Sequence, residues 1–290
     1  MKKLLFFFLI THLSLAQSMS DSSVIKTIKW KKTNLNNKII WKSVHLNKME
    51  LFNSNQSINI LETKLSNKRV SFGIASADSL TKQDKSKGKL TKTSEIALKN
   101  RTIVAVNGGF FDVKNGGSVD FIKIEGKILD TTRVKNAFHS QSAITIQNNK
   151  IEIIEGNGIT GWETKLSADN VLLSGPLLLK NNQKITLPKN AFNDNRHPRT
   201  CLCVTNDSKL LLITVDGRSN QAYGMNLHEL TFLTKQLNCR DAINLDGGGS
   251  TTMYIAGQPF NGVVNYPSDN KLFDHEGERS VSNIFYIKKK

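Results

Sequence analysis

The sequence predicts an α+β fold with a mixed, mostly antiparallel β-sheet core and a few helices. Three observations predict it. Short apolar or alternating segments recur along the 290 residues, several of the gaps between them hold hairpin-turn residues, and only two stretches have helical composition. With 38% hydrophobic and 22% charged residues and five prolines, the chain has a globular composition, neither disordered nor fibrous.

The elements follow in order. Lys2 and Lys3 precede an apolar run from Leu4 to Leu13 and the small-x-small site Ser14-Leu15-Ala16, the pattern of a signal peptide over residues 1–16. The run is shorter than the roughly 20 apolar residues that span a bilayer. An exported mature chain, periplasmic or secreted and without a transmembrane anchor, is therefore expected. Residues 17–69 divide into an exposed Ser-, Asn- and Lys-rich lead-in to about residue 37 and first strands at Ile39–Trp41, Val44–Leu46, Leu51-Phe52 and Ser57–Glu62. The principal domain is placed at 70–287. It opens with a strand near Val70–Ala75, followed by a lysine-rich loop from Asp78 to Thr93 and a short helix from Ser94 to Asn100, with Glu95 near its start and Lys99 near its end.

Glu125-Gly126 and Asn148-Asn149 occupy hairpin-turn positions between alternating segments. Val171–Leu179 is an apolar run interrupted by Gly175-Pro176, which predicts a bent or bulged strand. Strands at Cys201–Val204 and Leu210–Val215 flank a turn at Asn206-Asp207. Asn226, with Glu229 three residues on, caps a helix whose face is marked by Leu227, Leu230, Leu233 and Leu237. Asn265-Tyr266-Pro267-Ser268 reads as a turn and Ser282–Ile287 as a final strand.

The formal charge is +16. Its lysines are scattered and no nucleic-acid module accompanies them, so the charge reads as a solvated basic surface and no nucleic-acid partner is expected. Cys201, Cys203 and Cys239 make an odd count, which in an oxidising compartment suits one disulfide and one buried thiol; their pairing is open, and the spacing is not that of a zinc site. The sequence is silent on oligomeric state.

Function is expected where three apolar strands end alike. Thr102–Val106 runs into Asn107-Gly108-Gly109-Phe110-Phe111-Asp112, Leu210–Val215 into Asp216-Gly217-Arg218, and Ala242–Leu245 into Asp246-Gly247-Gly248-Gly249-Ser250-Thr251. Glycine runs are costly to order and are kept where backbone must approach something closely or expose its amides to an anion. A hard cation such as calcium also suits Asp, Asn and carbonyl oxygens near glycines, so a non-catalytic glycan- or calcium-binding module is the rival of an enzyme; no cofactor is required by the sequence. Phe110 and Phe111 are either a sugar-stacking platform or, more commonly for aromatics after a turn, core.

Taken together, Asn107–Phe111, Ser174-Gly175-Pro176, Arg199-Thr200, Val215–Arg218, Asn244–Thr251, Val264–Pro267 and Glu278-Arg279 give the chain a motif order that resembles the phosphodiester glycosidase domain family over about residues 70–287. The resemblance implies hydrolysis of a sugar joined through its anomeric carbon to a phosphodiester, with release of sugar and phosphomonoester. Under it Asp216 and Asp246 are the first candidate catalytic carboxylates, with Asp112 and Glu278 behind them. Arg199 and Arg218 are expected to clamp the phosphodiester and the amides of Gly108, Gly109, Gly247, Gly248 and Gly249 to donate to it. Asn107, Ser250, Thr251, Asn265 and Arg279 complete the expected binding set.

Overall fold

A computed structural model describes residues 20–77, 88–134 and 137–290. The segment expected to be a signal peptide and most of the lysine-rich loop after Asp78 lie outside the described residues.

The described residues build four sheets in which every strand pairing is antiparallel. The largest has eight strands in the spatial order Lys31–Leu35, Ile39–Leu51, Ser54–Lys64, Lys209–Val215, Arg199–Thr205, Cys239–Asn244, Leu177–Lys180 and Gln183–Lys184. A four-stranded sheet orders Met253–Ile255, Thr102–Asn107, Asn283–Lys289 and Val70–Ser76, and a five-stranded sheet is centred on Asn170–Ser174. The fold is α+β and dominated by antiparallel sheet, as expected.

The central strands of the large sheet are buried on both faces, which explains their near-continuous apolar sequence. Leu210 and Leu212 point into a core shared with the smaller sheets, through Val104, Val106, Ile144, Leu172 and Phe285. Leu211, Ile213 and Val215 point the other way, against Leu227, Leu230 and Leu233 of the helix Leu227–Gln236. That helix starts where the sequence places it. The Asn226 side chain accepts from the Glu229 amide while the Glu229 carboxylate accepts from the Asn226 amide.

Both hairpins form with left-handed residues at Glu125-Gly126 and Asn148-Asn149. Cys203 and Cys239 are disulfide-linked across neighbouring strands, and Cys201 is a buried thiol whose pKa burial raises. Two expectations change. Gly175-Pro176 does not bend one strand: Asn170–Ser174 lies in the five-stranded sheet and Leu177–Lys180 in the eight-stranded one, so the pair is a crossing between layers. The lead-in is not simply exposed, because residues 20–27 are helical, with Ile25 buried on the large sheet and the Asp21 carboxylate accepting from the Phe52 amide at 2.9 Å. Val24, Ile25 and Ile28 supply an apolar face that the lysine-rich composition hides.

Candidate active site

The glycine turns meet at one pole of the molecule. The Asn107 Nδ2 group donates to the Asp246 carbonyl at 2.6 Å, its Oδ1 accepts from Thr200 Oγ1 at 2.7 Å and from the Thr252 amide, and the Asp246 amide donates to the Gly108 carbonyl. Asn107 therefore ties three strand ends together from a fully buried position. Asn265, also fully buried, does the same one layer away: it accepts from the Met253 amide and donates to the Thr251 carbonyl and the Asp216 carboxylate. Both asparagines are spent on scaffold contacts. Ser250 and Thr251 are fully buried as well.

The glycines are needed mainly for close approach. A Cβ on Gly247 would lie 2.7 Å from the Pro198 carbonyl, one on Gly248 2.8 Å from Arg218 Nη2, and one on Gly249 2.5 Å from Asp269 Oδ1 and 2.6 Å from Arg279 Nη2. The expected amide cradle is largely consumed inside the protein. Gly108 donates to Asn283 O, Gly109 to Asn283 Oδ1, Gly247 to its neighbour Asp246 Oδ1 and Gly248 to Pro198 O, which leaves Gly249 as the amide of this set without such a bond among the described residues. Side chains surround the turn instead.

Asp246 is half-buried at this turn, and burial pushes its carboxyl up to about 6 against the opposing pull of the Ser250 hydroxyl, the Gly247 amide and the charges of Arg279 and His139. His139 Nδ1 meets Asp120 Oδ2 at 2.5 Å, with Asp120 fully buried. The His139 ring lies 5.1 Å from that of Phe110, which in turn lies 6.1 Å from Phe192; Phe111, by contrast, is core. Arg218 is exposed, sits over Gly248 in a left-handed backbone conformation and makes no hydrogen bond or ion pair among the described residues. Arg279 packs on Gly249 while paired with Asp269. His197, half-buried, has its pKa lowered by burial and then by Arg199 and Arg218. Behind Gly249, the loop carrying Asp269 is braced by stacked rings, with Tyr266 4.0 Å from Phe273 and 4.5 Å from His275, and His275 4.5 Å from Phe260.

Residues 100–288 match the family model of phosphodiester glycosidase. The chain belongs to the phosphodiester glycosidase family. It is 32% identical over 199 residues to N-acetylglucosamine-1-phosphodiester alpha-N-acetylglucosaminidase of Bos taurus, covering 61% of this chain and 34% of that protein. To an uncharacterized SPbeta prophage-derived protein of Bacillus subtilis it is 24% identical over 207 residues, 64% of this chain and 32% of that one. The chain thus spans about a third of the length of these relatives. In fold it is similar to the zebrafish N-acetylglucosamine-1-phosphodiester alpha-N-acetylglucosaminidase catalytic domain auto-inhibited by its pro-peptide, with a TM-score of 0.64 and 21% identity over 91% of this chain and 89% of that one.

Within this phosphodiester glycosidase fold, the other expected site residues fall elsewhere or are already engaged. Asp216 is fully buried and accepts from Ser57 Oγ at 2.6 Å, Asn265 Nδ2 at 2.9 Å and the Tyr266 amide at 2.9 Å; burial raises its pKa against those three donors. Arg199 is 1% exposed and donates to the carbonyls of Met225, Phe192 and Asn195, with burial and then Arg218 lowering its pKa to about 10 against the pull of Glu229. It anchors loops and does not form an open clamp. Asp112 caps its own turn by accepting from the Lys114 and Asn115 amides and pairs with Arg133. Glu278 accepts from the Ser94 amide and hydroxyl at the start of the helix Thr93–Lys99, while its neighbour Arg279 packs on Gly249. Sequence reasoning missed Asp120, His139 and His197, which stand in no local motif. Among the described residues no three His, Cys, Asp or Glu side chains converge as a metal-binding group, and no helix is long and apolar enough to cross a membrane.

Proposed function

We propose that this protein is an exported hydrolase that cleaves a sugar-1-phosphodiester between the anomeric carbon and the phosphate oxygen, yielding free sugar and a phosphomonoester. The observation that carries this reading is the gathering of Asp246, the Asp120-held His139 and the cations Arg218 and Arg279 around one glycine turn of a phosphodiester glycosidase fold. Arg218 offers guanidinium donors to the oxygens of the phosphodiester, and Arg279 adds positive charge beside it. Ionised at neutral pH, Asp246 takes a proton from the attacking water as the water oxygen bonds to the anomeric carbon. The bond from that carbon to the phosphate oxygen breaks, and its electron pair leaves with the phosphomonoester. Phosphate is a good leaving group, so the demand on a general acid is small; His139, fixed by Asp120, is a second proton carrier at the same place. Phe110 and Phe192 supply an aromatic wall beside His139 suited to a sugar face.

Export is supported by the leader pattern of residues 1–16 and by the Cys203–Cys239 disulfide, a bond that persists in oxidising compartments. The names of the mammalian relatives make N-acetylglucosamine-1-phosphodiesters the first substrates to test, beside phosphodiesters of other sugars. Purified protein should release reducing sugar and phosphomonoester in equal amounts from at least one of them. Release of sugar phosphate and alcohol, or binding without turnover across the panel, would overturn the reading.

A further inference from the structure

The lysines that look scattered in sequence converge in space. At the pole opposite the glycine turns, a cavity of about 660 Å³ lies between the first three strands and the connection leading to Val70. Leu35, Ile39 and Ile40 line it together with Lys38, Lys64, Lys68, Arg69 and Lys209. Glu62 is the acid among the lining residues, and it is already paired with Lys42 and Lys209. The side chains of Lys38, Lys64, Lys68 and Arg69 are exposed and make no ion pair among the described residues. The patch continues beyond the cavity: Lys289 pairs in register with Val70, and the Lys290 amide donates to the Arg69 carbonyl. Cations from four separate stretches of chain thus meet on one surface.

This pole is remote from the candidate active site. Lys209 starts, and Val215 ends, a strand that leads into Asp216, and seven residues at about 3.3 Å each put roughly 20 Å between the two ends. The strand Asn283–Lys289 spans the same two poles in the opposite direction, with Asn283 against Gly108 and Lys289 at the basic pole.

We propose that this basic pole is a binding site for an anionic polymer with phosphates along its chain. Four unpaired like charges around one cavity repel each other unless anions accompany them, so bound polyanion relieves that repulsion and releases counter-ions. A single phosphate is too small for the arrangement: the cations line a 660 Å³ cavity and extend past it, and flexible lysines recognise charge density more than a fixed anion geometry. The site would grip a carrier chain while the opposite pole works on a sugar attached to it, although the binding itself needs no turnover.

The test uses the full mature chain and long-chain inorganic polyphosphate as the probe, with affinity measured over a salt series. Lys38→Gln, Lys64→Gln, Lys68→Gln and Arg69→Gln together should weaken binding by about 10-fold or more at low salt and flatten the salt dependence, as loss of phosphate contacts does. A charge-matched control changes Lys26, Lys29, Lys189 and Lys235 to Gln, none of which lines the cavity; it should weaken binding by less than about 3-fold, the effect of net charge alone. Unchanged Tm in both variants shows that folding is not the cause. Equal weakening in the two variants would overturn the proposal, as would orthophosphate competing as well as the polymer, or binding to vesicles of anionic phospholipid without binding to polyphosphate.

Discussion

Asp216 and Asp246 look alike in sequence, each ending an apolar strand and preceding glycine, yet the structure gives them opposite surroundings. Three donors close around Asp216 and leave it fully buried, whereas Asp246 remains half-buried, with the Gly247 amide bonded to its carboxylate and the Ser250 hydroxyl beside it; burial raises the pKa of both, that of Asp246 to about 6. A carboxylate whose lone pairs are filled by the scaffold holds the scaffold together; one left short of partners is available to a substrate. Arg199 and Arg218 repeat the contrast. Arg199 is occupied by three main-chain carbonyls and Arg218 has no bonded partner among the described residues.

The largest effect expected from this contrast is on stability. Asp216→Ala orphans the Tyr266 amide and the Ser57 hydroxyl in a closed interior and should cost about 3–5 kcal/mol, lowering Tm by roughly 10 °C. Thermal unfolding of this variant beside Asp246→Ala checks it, and equal Tm values would erase the distinction. The second effect is on turnover. Asp246→Asn should reduce kcat by roughly 100- to 1,000-fold with the fold intact, the size expected of a general base, and steady-state kinetics on the substrate found by the sugar phosphodiester panel measures it. Near-normal kcat would move the chemistry away from Asp246 and toward the His139–Asp120 pair.

How much of this was legible in the sequence depends on how local the signal is. The strand Lys209–Val215 could be read because burial on both faces leaves a continuous apolar run, and the helix at Leu227 because its capping box lies within four residues. The meeting of the Asn107 and Asp246 turns was legible from their shared strand-glycine pattern. The division of labour among the carboxylates was not, because the donors that close around Asp216 come from residues 57, 265 and 266, far away in the chain. The His139–Asp120 pair joins residues 19 apart with no motif between them, and the triglycine reads as an amide cradle until Pro198, Arg218 and Arg279 are seen packed against it.

The arginine pair gives the third prediction, smaller than the first two. Arg218→Ala should raise KM by about 10- to 100-fold with Tm unchanged, the loss of a charge-assisted contact to a phosphodiester. Arg199→Ala should act through folding, because three carbonyls lose their donor and the Phe192 ring loses the guanidinium 4.9 Å from it. If Arg218→Ala also lowers Tm while leaving KM alone, both arginines are structural and the contrast fails for them.

The smallest expected effect follows from the pKa of Asp246, and its sign runs against that of a salt-bridged carboxylate. The folded pKa of about 6 lies above the ordinary value of 3.8, so folding favours the protonated form. Near pH 4 and below, both states are protonated and the environment costs little; between about pH 4 and 6 the unfolded carboxyl ionises while the folded one keeps its proton, so the cost builds over that window and is complete just above pH 6. Asp246→Asn removes the ion at every pH and keeps the shape of the side chain. The variant should therefore be more stable than the wild type at pH 8 by about 1–2 kcal/mol, a figure reduced from the full shift because the carboxylate is only half-buried, and the gain should shrink to nothing near pH 4. Tm measured for both proteins from pH 4 to 8 tests this. A gain that is absent at pH 8, or constant across the range, would mean that burial does not hold the Asp246 pKa above the ordinary value, and the contrast with Asp216 would then rest on exposure and hydrogen-bond partners alone.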